Sequence, residues 1–420
     1  MELKVGYKKT EVGVIPLEWR VVPLWKIAEK IMVGIASAAT HAYRDRGVVM
    51  FRNQNIKPGY LDDSDILYIS ENYEETFKNK RLKSGDLLTA RTGYPGTTSI
   101  VPAQYEGAQS FTTLITRPRK GEIDPHYLCC FINSESGQLF FDQNQIGGGQ
   151  KNVNAGALKR LPIPVPPTKA EQKAIAEALS DTDALIASLD QLITKKRQIK
   201  QGAMQELLTG KRRLPGFSGE WDAKRLGDLG STYGGLTGKT KADFGEGSSR
   251  YITFMNVMSN AVIDCGIFEP VRVFSTESQN KVIKGDLFFN GSSETPEEVG
   301  LCSVLAESVN DVYLNSFCFG FRFRDEAKAD GLYFAYYFRS REGRERLKSL
   351  AQGATRYNLS KTALLKVTFP LPSQEEQTAI ATVLSDMDTE LSALESRLAK
   401  ARQIKQGMMQ ELLTGRIRLL

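Results

Sequence analysis

The sequence predicts two mixed α/β (α+β) globular domains and two long helices that pair antiparallel as a coiled coil, giving a pseudo-twofold and pseudo-circular chain. Three observations predict this. Arg197–Gly210, RQIKQGAMQELLTG, returns as Arg402–Gly415, RQIKQGMMQELLTG, with Ala203 against Met408 as the one difference. The likeness runs upstream at a constant offset, 402 − 197 = 205: Pro167, Glu171-Gln172, Ala174-Ile175-Ala176, Leu179-Ser180-Asp181 and Asp183 return as Pro372, Glu376-Gln377, Ala379-Ile380-Ala381, Leu384-Ser385-Asp386 and Asp388. The blocks before each helix share only landmarks in the same order: Glu18-Trp19 with Glu220-Trp221, Gly85-Asp86-Leu87 with Gly285-Asp286-Leu287, Ser110-Phe111 with Ser316-Phe317, and Asn154 with Asn358. A solenoid repeats every roughly 20–50 residues, so a period this long marks a duplicated domain pair.

The elements follow as a globule over 1–163, a helix over 164–210, a second globule over 211–368 and a second helix over 369–420. Both globules read as mixed α/β with short strands, such as Arg250–Val257 and Val271–Phe274, and a late helix, Tyr127–Phe141 in one and Tyr333–Leu350 in the other. Pro164, Pro166 and Pro167 force an extended approach to the first helix, and Thr168 stands three residues before Glu171 as a capping box. Pro370, Pro372, Ser373 and Glu376 repeat the arrangement. Apolar residues then recur at helical spacing: Ile175, Leu179, Ile186, Leu189, Ile193, Met204 and Leu207, then Ile380, Leu384, Met387, Leu391, Leu394, Leu398, Met409 and Leu412. Gly210 and Gly415 stand at the C′ positions.

A helix over Thr168–Thr209 is roughly 60 Å long at about 1.5 Å per residue, longer than one domain is wide. Each helix is acidic in its first half and basic in its second: Glu171, Glu177, Asp181, Asp183 and Asp190 precede Lys195, Lys196, Arg197 and Lys200. The polarity suits the helix macrodipole, and it also suits antiparallel pairing of acidic half with basic half. That pairing returns the C-terminus to the N-terminal segment. Leu192, Ile199, Leu208 and Leu413 exceed what one seam uses, and either a partner's helices or the chain's own globules would cover them.

Composition bounds the function. At 420 residues and 41% hydrophobic content the chain can bury more than one core. Its net charge, 55 − 49 = +6, weakly favours a polyanionic partner. Five scattered cysteines form no CxxC, and the two histidines lie far from any cysteine pair, which argues against zinc. Reduced thiols, no signal peptide and no long apolar stretch point to a cytoplasmic protein without a membrane partner.

Several loops combine cations with amides and hydroxyls. The first globule offers Arg52, Asn53, Gln54, Asn55 and Lys57; Arg91, Thr92 and Tyr94; and Lys151, Asn152 and Asn154. The second offers Lys239 and Lys241, Asn256, Ser292, and Arg356, Tyr357 and Asn358. Arg can bridge guanine, Asn or Gln can bridge adenine, and Lys can hold phosphates. A solvated polar loop is the competing reading of each. Catalytic readings are weaker. Gly238-Lys239-Thr240 would close a phosphate-binding loop, but Tyr233 stands where GxxxxGK[ST] needs Gly. Two histidines leave little for acid–base chemistry repeated in each half, and Gly147-Gly148-Gly149 reads as a flexible loop.

The Glu-Trp openings, the Gly-Asp-Leu strands, the Pro-rich approaches to Glu-Gln-x-x-Ala-Ile-Ala helices and the duplication resemble the DNA-specificity subunit of type I restriction–modification enzymes, over essentially the whole chain. The resemblance implies two target recognition domains, each reading half of a bipartite, gapped, asymmetric site in double-stranded DNA. It implies helices that space them and dock two methyltransferase subunits, with restriction/translocase subunits joining the complex. It further implies a noncatalytic chain, with S-adenosylmethionine, ATP and Mg held on the partners. The competing classes are a nucleotide-hydrolysing or nuclease enzyme using the Gly-Lys-Thr loop, and a noncatalytic dimerising scaffold.

Overall fold

The Gly-Asp-Leu landmarks start an inner strand of a four-stranded sheet in each half of the chain. The computed structural model describes residues 5–144 and 152–419, and its residues fall into a first unit, Met1–Asp190 with Arg397–Leu420, and a second, Gln191–Ser396. Both boundaries lie within the long helices, Lys169–Leu207 and Gln374–Leu412.

The two units repeat one topology under unlike sequences. In the first, Thr98–Ile100, Leu87–Thr89, Leu114–Pro118 and Ala28–Val33 lie side by side, all antiparallel. In the second, Cys302–Val304, Leu287–Asn290, Cys318–Phe323 and Gly230–Gly234 take the same order and directions. A further sheet in each has a parallel neighbour on one side and an antiparallel one on the other. Val48–Phe51 lies between Gln109–Ser110 and Leu67–Ile69, and Phe244–Ile252 between Val312–Leu314 and Glu269–Val271.

The acidic landmark residue explains its own recurrence. Asp86 is buried, accepts two bonds from Arg117 (Nε 2.8 Å, Nη2 2.7 Å) and a third from the Lys83 amide at 2.9 Å. Asp286 repeats the pattern with Arg322 (2.8 and 2.6 Å) and the Ile283 amide (2.9 Å), and the Tyr233 hydroxyl adds a bond at 2.5 Å. Each guanidinium also reaches a backbone carbonyl, of Arg81 or Lys281. A bidentate, charge-assisted pair of this kind fixes one sheet against its preceding loop.

Some element boundaries differ from the sequence reading. The strand expected at Arg250–Val257 is Phe244–Ile252, because the Thr253 hydroxyl accepts from the Asn256 amide at 3.2 Å and starts a helix at Phe254. Val271–Phe274 contributes only Val271, at the end of Glu269–Val271. Each expected late helix is two, Pro125–Ile132 with Glu135–Gln143 and Gly331–Arg339 with Arg341–Lys348. Ser134 and Ser340 cap the second helix of each pair. The joints are tight: a Cβ at Gly137 would sit 2.4 Å from the Ile132 carbonyl oxygen, and one at Gly343 2.0 Å from that of Tyr337.

The long helices begin as expected from Thr168 and Ser373, whose hydroxyls accept from the amides of Glu171 (3.2 Å) and Glu376 (3.4 Å). The N3 carboxylates turn elsewhere. Glu171 takes the Arg418 guanidinium through both oxygens, and Glu376 takes that of Arg213 at 2.5 and 2.6 Å. The adjacent glutamines also lock the helix starts. Gln172 accepts from the Asp124 amide at 2.8 Å, Gln377 from the Asp330 amide at 2.9 Å, and those aspartates cap the late helices. Gly210 and Gly415 end the helical segments with φ of 70° and 66°.

Each unit's core joins its globule to the start of one long helix and the end of the other. Ile175, Ala176 and Leu179 pack with Leu412, Leu413 and Trp19 in the first unit. Ile380, Ala381 and Leu384 pack with Leu207, Leu208 and the aromatic cluster around Phe334 and Phe369 in the second. Leu208 and Leu413, expected as surplus surface, are therefore core, 0% and 1% exposed; the chain's own globules cover them. The helix segments run antiparallel within each unit. Asp183 and Asp190 pair with Lys405 (2.5 Å) and Arg402 (3.0 Å) in the first, Lys196 and Arg197 with Glu390 (2.7 Å) and Glu395 (2.6 Å) in the second.

Replacing Asp86 with Ala should destabilise the first unit by about 3–5 kcal/mol, because it strands a largely buried guanidinium. Amide hydrogen exchange should show protection falling in that unit and holding in the second, and the paired change Asp86→Leu with Arg117→Met should recover much of the loss.

Candidate nucleic-acid interface

In each unit the loop after the inner strand meets a later extended segment, and the predicted polar residues divide between this junction and positions committed to the fold. In the first unit Asn53 is the bridge. Its Oδ1 accepts from the Arg91 amide at 2.7 Å, and its Nδ2 donates to the Thr112 hydroxyl at 3.2 Å. The Val153 amide donates to the Arg91 carbonyl at 3.1 Å, so Asn152 and Asn154 flank the same junction. Thr92 is half-buried, and Tyr94 stands at the loop tip, 84% exposed. Lys151 lies outside the described residues, as does Gly147-Gly148-Gly149. Asn154 is half committed, since its Oδ1 caps the helix Ala155–Arg160 through the Ala157 amide.

The second unit builds the same junction from other residues. Ser292 and Ser293 pair antiparallel with Asn358 and Tyr357, and the strand Tyr357–Leu359 pairs in turn with Ala351–Gln352. Arg356 is exposed near the tip of that hairpin; its Nε donates to the Ser292 hydroxyl at 3.3 Å, and its guanidinium lies over the Phe317 ring at 5.9 Å. Phe317 is itself 59% exposed. The cation has moved between the units: Arg91 stands on the first loop beside Asn152, whereas Ser292 stands on that loop beside Arg356. Sequence reasoning passed over Phe317 as a landmark. The sequence pairs it with Phe111, which packs partly buried in a core cluster, but the strand register sets Phe111 opposite Asn315 instead, since the amides of Phe111 and Asn315 donate to the matching carbonyls of Phe51 and Ile252.

Three predicted readers are corrected to structural roles. Asn55 is buried; its Oδ1 accepts from the Arg52 amide and its Nδ2 donates to the carbonyls of Asp62 and Asp65. Asn256 is its counterpart, buried and bonded to both the amide and carbonyl of Asp264 and to Asn260. With every polar atom used inside a turn, neither amide can read a base. Lys239, with its side chain 4% exposed, pairs with Glu277 at 2.6 Å and lies over Phe274 at 5.5 Å. Lys239 and Gln279 hold the Glu277 carboxyl below its ordinary range. The Thr240 hydroxyl and amide are taken by Asp243, so Gly238-Lys239-Thr240 is a braced turn.

Among the others, Arg52 and Gln54 converge on the Asp65 carboxylate at 2.9 and 2.7 Å, and Lys57 lies 3.8 Å from Asp62. Lys241 is exposed. No hydrogen bond or ion pair among the described residues links Lys239, Lys241 or Asn256 to the Ser292–Arg356 junction. On the helices, Leu192 and Ile199 are 39% and 46% exposed. Among the described residues no group of three or more His, Cys, Asp or Glu side chains could hold a metal ion, and no helix is long and apolar enough to cross a membrane.

Comparison with known proteins yields one family. The model of the type I restriction modification DNA specificity domain matches twice, over residues 16–201 and 218–405. The chain is 26% identical over 436 aligned positions to a Methanocaldococcus jannaschii protein named for the MjaX type I restriction enzyme specificity subunit, covering 99% of this chain and 97% of that one. It is 22% identical to the StySPI specificity subunit of Salmonella potsdam, covering 96% and 90%. Its fold is similar to the crystal structure of a type I restriction–modification S subunit from M. genitalium, with a TM-score of 0.58 at 15% identity over 98% of each chain.

Proposed function

From the premise that the chain belongs to the type I restriction–modification DNA specificity family, we propose that it is the noncatalytic recognition subunit of such a system, acting in the cytoplasm, and that each unit reads one half of a bipartite, gapped DNA site. The observation that carries this reading is one topology repeated beneath unlike loop residues: Arg91, Tyr94 and Asn152 in one unit, Ser292, Arg356 and Phe317 in the other. Equal scaffolds with unequal polar loops suit an asymmetric site. Within it, residues 1–163 and 211–368 serve as recognition domains, and 164–210 and 369–420 as spacers. The bracing of Lys239 by Glu277 speaks against a nucleotide-hydrolysing Gly-Lys-Thr loop.

The helices in this reading dock two methyltransferase subunits, one on each copy of the repeat, with a restriction/translocase subunit completing the complex. S-adenosylmethionine, ATP and Mg would then reside on those partners. The repeat supports equal docking surfaces. Gln198, Ile199, Gln201 and Gly202 return as Gln403, Ile404, Gln406 and Gly407, exposed or half-exposed in both copies. Glycine inside a helix costs about 1 kcal/mol relative to alanine. A Cβ at Gly202 or Gly407 would meet nothing within 4 Å, so packing inside the unit does not require either glycine. A partner element lying close against the helix backbone would give both a use.

Exchanging residues 1–163 for the equivalent domain of a relative should change one half of the methylated sequence and leave the other half and the gap alone, read by methylation sequencing after co-expression with methyltransferase subunits. A change in both halves would contradict the division of labour. Replacing Leu192 and Ile199 with Asp should weaken assembly with the methyltransferase subunit, seen as a smaller complex in size exclusion with light scattering. A full-sized complex from the correctly folded double mutant would place the docking surface elsewhere.

A further inference from the structure

We propose that Arg356 is a specificity-determining residue of the second unit, reading a guanine through the major groove. The proposal rests on the reading that this unit recognises duplex DNA, and four observations select this side chain. It stands near the tip of the hairpin made by Ala351–Gln352 and Tyr357–Leu359, which Ser292–Ser293 joins as a third strand, and sequence is read by side chains that reach base edges in the grooves. It is exposed, and among the described residues it has no carboxylate partner. Several other arginines of the unit are occupied. Arg213 and Arg322 hold buried carboxylates, Arg346 holds Glu342, and Arg339 donates to the carbonyls of Val257, Met258, Asn260 and Cys302. Finally, Arg356 is aimed: the Ser292 hydroxyl takes its Nε and its guanidinium carbon lies over the Phe317 ring, 5.9 Å from the ring centre.

That aim has a chemical meaning. Nε is used for positioning, and both terminal nitrogens are left to donate along one edge. Two donors in one plane match the O6 and N7 acceptors of guanine, which no other base pair presents together in the major groove. A tethered guanidinium held beside a ring loses less rotamer freedom on binding than a free one. A phosphate contact would need neither the ring nor the tether.

The test uses the full chain and a pool of randomised DNA duplexes, selected by binding and sequenced, followed by affinity measurements on the selected duplex and its single-base variants. The wild type should enrich guanine at one position that Arg356→Ala loses, with discrimination there falling about 5- to 150-fold and all other positions unchanged. Arg356→Gln should turn the preference at that position toward adenine, since Gln bridges adenine N6 and N7. Phe317→Ala should weaken discrimination at the same position and nowhere else. A uniform loss across all sequences, with a salt dependence shallower by about one, would assign Arg356 to a phosphate and overturn the proposal. An unchanged selected sequence would also overturn it. Failure of the wild type to enrich any sequence would instead overturn the recognition reading beneath it.

Discussion

Two buried carboxylates, Glu171 and Glu376, hold this structure together. Each begins a long helix and is gripped by an arginine that follows the end of the other helix, Arg418 in one unit and Arg213 in the other. The acceptors are 1% exposed as side chains, so removing either arginine would leave a carboxylate uncompensated in the core, at a cost of about 3–5 kcal/mol. The tryptophan landmarks belong to the same joint. Trp221 donates to Glu376 at 3.2 Å and Arg213 lies over its ring, while Arg418 lies over Trp19. Helix start, helix end and the opening of the globule are thereby fixed at one point in each unit.

The joint is covalently continuous in one unit and not in the other. In the second, the chain runs from Gly210 through Arg213 to Trp221. In the first, the corresponding residues come from opposite ends of the sequence: Arg418 reaches Glu18 at 2.6 Å, and the Tyr7 hydroxyl reaches the Gly415 carbonyl at 3.3 Å. The non-covalent closure reproduces the covalent one because the same arginine, glutamate and tryptophan make it. A duplicated joint under a diverged surface lets the loops change while the frame holds, and the placing of the cation on the first loop in one unit (Arg91) and on the later segment in the other (Arg356) is an instance.

The frame was legible in sequence because it is repeated and periodic. The two helices, their caps and their terminal glycines follow from spacing and offset, and their antiparallel polarity from the division of charge along each. Asp86 and Asp286 were visible as landmarks, although their arginine partners lie 31 and 36 residues away, a distance no local pattern spans. Strand order inside the globules was not legible for the same reason. The site was legible only by residue type. Asn55 and Asn256 have the composition of base readers, yet both are spent on a turn, and the short run Asn-Ile against Asn-Val was the one hint that they correspond. Leu208 and Leu413 look like Leu192 in a helical repeat, but they lie at the ends of the helices, about four turns beyond the position of Leu192, where each helix is inside a globule. Phe317 became visible only through its exposure beneath Arg356.

On the function proposed for this chain, the two units, each locked by one such joint, are spaced by the helices they share. The unit boundaries after Asp190 and Ser396 leave every described ion pair between the two helices within one unit or the other, so that is where length can be added without disturbing either register. Four residues inserted at both points lengthen each helix by about 6 Å and rotate it by about 40°, close to two base-pair steps of about 3.4 Å. Methylation sequencing of the insertion variant with its methyltransferase subunits should show both half-sites retained and the gap between them longer by about two base pairs. An active complex with an unaltered gap would contradict the claim.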